Sequence, residues 1–221
     1  MSNKISRRAF LKVTGVSALA LGAASMLGGC QSSSGSVEVK VGDKVSNWNN
    51  LGVQLSSVFT LSDAPDVAGH QYVAVLVTAV NRSKTDSMAI GAQNIAEIDA
   101  AYPLTDEASR AANTAPYFHA LSASTTDFTV TVDGQAAEAG AYVSLYDAAT
   151  ESFSDVPSLP PQGTGYIELV CMVPAGWQQM TVTYNPTFAS GKSITFVMSA
   201  SDLKNSCSFG TKFRLTSVFF G

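Results

Sequence analysis

The sequence predicts an all-β protein, built as an antiparallel β-sandwich with one short helical insertion. Three observations carry this prediction. Apolar and polar residues alternate in several short segments, turn-forming residues separate those segments, and residues 72–80 are almost wholly apolar. Alternation with a period of two places one face of a strand against a core and the other in water. A continuous apolar run is typical of a central strand that is covered on both faces.

The alternating segments mark the individual strands. They lie at residues 37–41, 128–132, 180–184 and 194–198, and a last strand is predicted at residues 212–220. Turns are expected at Asp133-Gly134, at residues 174–176 and 190–192, and in the longer stretch 157–165. Short strands separated by such turns favour an immunoglobulin-like sandwich of about seven to nine strands.

One segment indicates a helix. Thr105 is a candidate N-cap, Asp106 and Glu107 place carboxylates in the first turn, and residues 108–112 include good helix formers. The predicted helix is short and lies inside an alanine-rich connection at residues 100–124.

The N-terminus has the order of an export signal. Arg7 and Arg8 are followed by Phe-Leu-Lys and by an uncharged stretch, a pattern similar to the twin-arginine consensus. Leu27, Gly28, Gly29 and Cys30 then resemble a lipobox, in which the cysteine receives a diacylglycerol and becomes the first residue after cleavage.

These motifs divide the chain into a signal peptide at residues 1–29, a lipidated Cys30 with a polar tether at 30–36, and a sandwich domain at 37–221. We expect a protein held on the extracytoplasmic side of the cell membrane, with the lipid bilayer as partner through diacylglyceryl-Cys30. The alternatives are an uncleaved signal anchor, or a secreted product with a free Cys30.

The charge distribution excludes a nucleic-acid-binding surface as the main function. Four of the 13 basic residues and none of the 17 acidic residues lie in the first 29 positions. The rest of the chain is therefore more acidic than the net charge of −4 for the whole. A polybasic patch for nucleic acid or anionic lipid is not expected on such a domain.

Several segments resemble the telokin-like lipoprotein domains known as DUF4352. They are residues 41–43 (VGD) with 51–55 (LGVQL), 69–75 (GHQYVAV) with 80–83 (VNRS), and 165–170 (GYIELV) with 173–174 (VP) and 182–184 (VTY). The resemblance implies an immunoglobulin-like extracytoplasmic domain for binding or adhesion. It brings no catalytic residues.

Two cysteines remain after Cys30. Cys171 shares a strand face with Ile167 and Leu169, and Cys207 lies before the predicted last strand. Thiols outside the cytoplasm tend to pair, so a Cys171–Cys207 disulfide is one prediction. The alternative is a free, buried Cys171 that acts as a small hydrophobic residue.

The candidate ligand contacts are Trp48 and Trp177, each in a turn where an exposed indole can stack on a sugar or on a protein surface. The alternative is that each covers one end of the core. Asp63, Asp66 and His70 lie in one predicted turn, and a solvated turn is favoured there over a cation site. No catalytic residue, metal or cofactor is assigned.

The sequence therefore leads to three hypotheses about function. The first is a non-catalytic binding or interaction module on the cell envelope, with a protein or glycan ligand bound by end loops at residues 43–50, 61–69 and 175–178. The second is an accessory subunit of a membrane-associated enzyme or transporter complex, docked through residues 100–124. The third and least favoured is a hydrolase.

Overall fold

The computed structural model describes residues 35–61, 68–91, 95–123, 127–137, 141–147, 152–154 and 158–207. The export signal, Cys30 and the predicted strand at residues 212–220 lie outside the described residues. In the described part the chain is mostly strands, arranged as two large sheets and one two-stranded sheet.

The first sheet has five strands in the order β1-β13-β12-β6-β7. Their bounds are Val37–Lys40 (β1), Phe128–Val132 (β6), Gln135–Ala136 (β7), Gln179–Tyr184 (β12) and Ile194–Ser199 (β13). Buried and partly exposed residues alternate along β6, β12 and β13, as the sequence pattern predicts. One face of this sheet therefore lies against the core.

The second sheet has seven strands in the order β14-β3-β4-β11-β8-β9, with β2 also paired to β3. The bounds are Lys44–Trp48 (β2), Leu51–Leu61 (β3), His70–Asn81 (β4), Ala141–Asp147 (β8), Ser152–Ser154 (β9), Thr164–Pro174 (β11) and Leu203–Cys207 (β14). The long neighbours β4 and β11 pair antiparallel along their whole length and are buried on both faces. This confirms the central strand predicted from residues 72–80.

A shared core joins the two large sheets. It combines inward residues of the five-stranded sheet, such as Val130 and Phe196, with inward residues of the seven-stranded sheet, such as Val75 and Leu169. The two-stranded sheet, Met88–Ala89 (β5) with Ser158–Leu159 (β10), adds Met88 and Leu159 to this core. The predicted all-β, immunoglobulin-like sandwich is therefore confirmed.

The sheets differ from the prediction in one respect, since two strand pairs are parallel. β1 runs parallel to β13, and β14 runs parallel to β3, while the other ladders are antiparallel. Both pairs place an edge strand beside its neighbour. The alternating pattern could not predict their direction, because alternation shows which face of a strand is buried and not which way the strand runs.

The helical insertion is larger than predicted. It forms two helices, Ile95–Ala101 (α1) and Glu107–Ala123 (α2), and α2 packs against β8 and β11. Ile98, Leu104 and Tyr117 are buried without belonging to the inter-sheet core, so the insertion covers the outer face of the seven-stranded sheet. Among the described residues, neither helix has the length and apolar character needed to cross a bilayer.

Candidate functional site

The sandwich has two distinct ends. The entry end holds the start of β1, the β2–β3 turn and the connection from Tyr184 to Ile194, which are paired or bonded to one another. The far end holds the β6–β7 turn and the β11–β12 turn, where Gln178 and Gln179 donate their backbone N–H groups to the carboxylate of Asp133.

The predicted ligand contacts of Trp48 and Trp177 are wrong. Trp48 lies at the entry end and is 1% exposed, whereas Trp177 lies at the far end and is 2% exposed. Both indoles belong to the inter-sheet core. Because the two turns lie at opposite ends, the end loops at residues 43–50 and 175–178 do not share one surface around an exposed indole.

The Trp48 indole fixes the place where the chain enters the domain. Its Nε1–H donates a hydrogen bond to the carbonyl oxygen of Gly35 at 2.9 Å. The hydroxyl of Ser193 donates to that of Ser36 at 2.8 Å, and the backbone N–H of Val37 donates to the carbonyl oxygen of Ser193 at 2.9 Å. The first residues of the described chain are therefore held against the entry end.

Four aromatic rings gather at the same end. Tyr184 stacks on Phe128 with ring centroids 4.5 Å apart, and Phe188 meets both Trp48 and Tyr184 edge-on at 6.3 and 6.4 Å. Trp48, Tyr184 and Phe128 are buried, but Phe188 is 41% exposed. Among the side chains whose exposure the structure describes, Phe188 is the large hydrophobic one that is classed as exposed.

A hydrogen-bonded turn presents Phe188. Residues Thr187–Ala189 form one 3₁₀ turn, with the N–H of Ala189 donating to the carbonyl of Pro186. Lys192 follows, and its Nζ donates to Oδ1 of Asn49 at 3.1 Å. The sequence reasoning missed Phe188, although a bulky aromatic residue between Pro186 and Gly191 is a visible signal of a displayed side chain.

A buried asparagine closes the neighbouring loops of the entry end. Nδ2 of Asn81 lies 2.7 Å from the carbonyl oxygen of Asp86 and 3.1 Å from those of Leu159 and Pro160. Its Oδ1 accepts the backbone N–H of Ser83 at 2.9 Å. Asn81 is fully buried, so one side chain satisfies the backbone of two loops.

The predicted Cys171–Cys207 disulfide is wrong. Cys171 is a free, fully buried cysteine on β11, and Cys207 lies on β14 beside Leu61. Since β3 and β4 separate these strands, their backbones lie about 14 Å apart at normal strand spacing, and a disulfide needs Cα atoms within about 7 Å. Burial raises the pKa of the Cys171 thiol to about 12.

The outer face of the seven-stranded sheet carries buried polar groups. Ser57 sits beside a β-bulge of β3, and its hydroxyl donates to the carbonyl oxygen of Ser56 at 2.6 Å. Lys204 donates its Nζ to the same Ser57 hydroxyl at 2.9 Å. Glu168 on β11 is 1% exposed. In the register of the sheet it lies opposite Leu76 on β4, and Leu76 lies opposite Ser57 on β3.

A serine beside a lysine invites comparison with a nucleophile and its base. The Ser57 hydroxyl, however, is 1% exposed and already uses its proton to satisfy a carbonyl of the bulge. Lys204 is bonded as a donor, not placed to accept that proton. The arrangement stabilises the bulged strand.

The helical insertion begins at a capping box, with a different cap from the one predicted. The carboxylate of Asp106 accepts the backbone N–H of Ser109 at 2.8 Å, and the Ser109 hydroxyl accepts the N–H of Asp106 at 3.0 Å. The hydrogen bond from the backbone N–H of Ser109 to the carboxylate, followed by that from the Ser109 side chain, lowers the pKa of Asp106. Asp106, not Thr105, therefore caps α2. The hydroxyl of Tyr117 donates to Asp99 at 2.6 Å and ties α2 to α1.

The cation hypothesis finds no support in the described residues. His70 lies at the start of β4 with its Nδ1 at 3.1 Å from the carbonyl oxygen of Ala68, while Asp63 and Asp66 lie outside the described residues. In the part of the chain that is described, no three histidine, cysteine or carboxylate side chains form a metal-binding group.

Comparison with known proteins adds distant likenesses of fold. No family model matches the chain, and no curated protein matches it. An uncharacterised β-sandwich protein from Clostridium difficile 630 is 11% identical, with a TM-score of 0.43 over 77% of this chain and 99% of that one. A candidate lipoprotein from Bacillus subtilis is 14% identical, with a TM-score of 0.38 over 70% of this chain and 38% of that one. Likenesses at this level carry no argument about function.

Proposed function

We propose that this chain is a lipid-anchored protein of the cell envelope, exported by the twin-arginine route and held through a diacylglycerol on Cys30. The residues that support this are Arg7 and Arg8 ahead of an uncharged stretch, and the Leu-Gly-Gly-Cys motif that ends at Cys30. Within the fold, the supporting observation is the hydrogen bond from the Trp48 indole to Gly35. This bond holds the chain against the domain five residues after Cys30.

Metabolic labelling with an alkyne palmitate tests the anchor. The wild-type chain is expected to take up the label and to partition into the detergent phase. The Cys30→Ala variant is expected to lose both properties, whereas the matched Cys207→Ala variant keeps them. A labelled Cys30→Ala protein, or an unlabelled wild-type protein, contradicts the proposal. Lys substitutions at Arg7 and Arg8 are expected to retain the precursor in the cytoplasm if export follows the twin-arginine route.

We further propose that the sandwich is a non-catalytic interaction module similar to the telokin-like lipoprotein domains. The polar contacts that most resemble catalytic chemistry, those of Ser57, satisfy the backbone of a bulged strand. The aromatic residues that sequence marked as ligand contacts pack into the core. Binding then depends on the outer surfaces of the sandwich and its helical insertion, which rigid strands hold in place.

Substrate turnover distinguishes this module from a hydrolase. The purified full-length protein is expected to leave generic ester and glycoside substrates unchanged, and Ser57→Ala is expected to change its stability only. Turnover by the wild-type protein that Ser57→Ala or Lys204→Ala abolishes, with folding intact by circular dichroism, would falsify the non-catalytic function.

An accessory subunit is the second candidate function, and the surface of α2 favours it. Ala108, Ala111, Ala112 and Pro116 are exposed, so one side of this helix presents small apolar groups to solvent beside the acidic Glu107. Small residues allow close approach of a partner helix or sheet. A stoichiometric partner that co-purifies from detergent-solubilised membranes, and is lost on Ala111→Arg but not on Ala175→Arg at the far end, supports this role.

A further inference from the structure

We propose that the entry end of the sandwich is a membrane-contacting surface, in which Phe188 inserts into the interface of the bilayer that holds the anchor. The inference rests on the proposed lipidation of Cys30. It goes beyond anchoring, because it assigns a second, non-covalent contact with lipid and a fixed orientation to the domain.

The first step is the reach of the tether. Five peptide units separate Cys30 from Gly35, so even a fully extended chain places their Cα atoms no more than about 18 Å apart. Gly35 accepts the Trp48 indole N–H, and Val37 pairs with Ile194 at the start of β13. The entry end is therefore the part of the domain that the anchor keeps nearest to the lipid headgroups.

The second step is the exposed aromatic ring on this end. A single exposed hydrophobic side chain is ordinary on a protein surface and by itself indicates nothing. Among the side chains whose exposure the structure describes, however, Phe188 is the exposed large hydrophobic residue, and its ring contacts Trp48, which holds the tether. Two edge-on ring contacts and a 3₁₀ turn hold it outward, so little conformational entropy is lost on insertion.

The third step is the surroundings of the ring. Thr187, Ser190 and Gly191 beside it are exposed and uncharged. Arg82, Lys84 and Lys192 supply positive charge to the entry end, against the carboxylates of Asp86 and Asp127. With charge nearly balanced, apolar burial and not electrostatic attraction provides the contact, so it is expected on zwitterionic lipid and to persist in salt.

A depth measurement on the lipidated full-length protein tests the proposal. In a Cys207→Ser background, an NBD fluorophore is placed at Ser190→Cys beside Phe188, or at Ala175→Cys on the far end. Cys171 stays unlabelled because it is buried. The protein is reconstituted into phosphatidylcholine vesicles that contain a shallow doxyl-labelled lipid. Quenching at position 190 is expected to exceed quenching at position 175 at least threefold.

The Phe188→Ser variant supplies the matched control. It removes the ring and leaves the tether, so quenching at position 190 is expected to fall at least threefold while the circular dichroism spectrum stays unchanged. Equal quenching at both positions, or quenching at position 190 that Phe188→Ser leaves intact, overturns the proposal. The emission of NBD at position 190 shifts to the blue when the fluorophore leaves water. A blue shift that appears with native membranes but not with pure lipid also overturns the proposal, since a protein then covers Phe188.

Mass spectrometry of the Cys30 peptide separates the failure of the proposed lipidation from the failure of the proposed Phe188 contact. A peptide without acyl mass overturns the anchor and the orientation together. An acylated peptide with no lipid quenching at position 190 leaves the anchor standing and overturns the membrane contact alone.

Discussion

At the scale of single residues, the buried side chain of Asn81 contacts four backbone groups. Replacing it with alanine removes the partner of the buried carbonyl oxygen of Leu159, and of two carbonyl oxygens and one N–H that are partly buried in the adjoining loops. Unsatisfied buried groups are costly, so Asn81→Ala is expected to lower the free energy of unfolding by about 2–4 kcal/mol. Urea titration followed by circular dichroism measures the loss.

Asn185 is the matched control for this prediction. It is exposed at the same end of the sandwich, and Asn185→Ala is expected to change the free energy of unfolding by less than about 0.5 kcal/mol. A similar effect of the two substitutions would show that Asn81 is not the residue that closes these loops.

Cys171 predicts how stability depends on pH. Its pKa is about 12 in the folded protein against 9.0 for a free thiol. Between these values the unfolded chain loses the proton while the folded chain keeps it. The free energy of unfolding therefore falls as pH rises from about 9. Tyr72 acts in the same direction, since burial raises its pKa from 10.0 to about 12.

The measurement is the urea midpoint of the wild-type protein and of Cys171→Ala at pH 7 and at pH 10.5. The midpoint of the wild-type protein is expected to fall by more over this range, because the variant no longer has the buried thiol. Parallel declines for the two proteins would mean that Cys171 does not titrate on unfolding. Below about pH 8, where the thiol is protonated in both states, this group contributes almost no pH dependence.

At the scale of elements, Pro116 makes α2 less stable than a helix of its length need be. Proline in a helix interior removes one backbone hydrogen bond and its ring opposes the preceding turn. Pro116 is exposed, so Pro116→Ala is expected to raise the free energy of unfolding by about 1–3 kcal/mol. Ala112→Gly, one turn earlier and also exposed, is expected to lower it by about 1 kcal/mol. If Pro116→Ala destabilises the protein instead, the proline is needed to hold the buried Tyr117 in place.

The same helix shows where sequence patterns stop being informative. The strands of the sandwich were predictable because alternation along β6, β12 and β13 marks a face that the partner sheet covers. α2 has weak amphipathic character, since its alanines are exposed or partly exposed and Pro116 interrupts it. The pattern therefore predicted one short helix, and it missed both α1 and most of α2.

The functional residues were less predictable than the fold for a related reason. Whether an aromatic residue in a turn packs inward depends on the opposite sheet, which local sequence does not contain. Trp48 and Trp177 turned inward, and Phe188 stayed exposed. The disulfide prediction failed similarly, because two intervening strands separate Cys171 from Cys207. Local spacing gives no information on strand order.

At the scale of the whole molecule, the two ends of the sandwich are not equivalent. β3 has 11 residues, so the sheet extends about 37 Å along its strands, about twice the reach of the tether. An anchor that enters at one end therefore favours a domain whose far end points away from the bilayer. The short tether and the Phe188 contact both favour this orientation, and their effects can be measured separately.

Lengthening the tether separates them. A flexible insertion of 20 Gly and Ser residues between Ser34 and Gly35 gives a linker with a typical span of about 27 Å, which no longer orients the domain by itself. Energy transfer to a membrane acceptor is measured from probes at Ser87→Cys on the entry end and at Ala175→Cys on the far end, with Cys207→Ser throughout.

With the native tether, transfer from the entry end is expected to be stronger whether or not Phe188 is present. With the long tether, this difference is expected to survive only when Phe188 is present, because burying a phenyl ring is worth about 2 kcal/mol. Loss of the difference in both long-tether proteins would mean that the tether alone orients the domain.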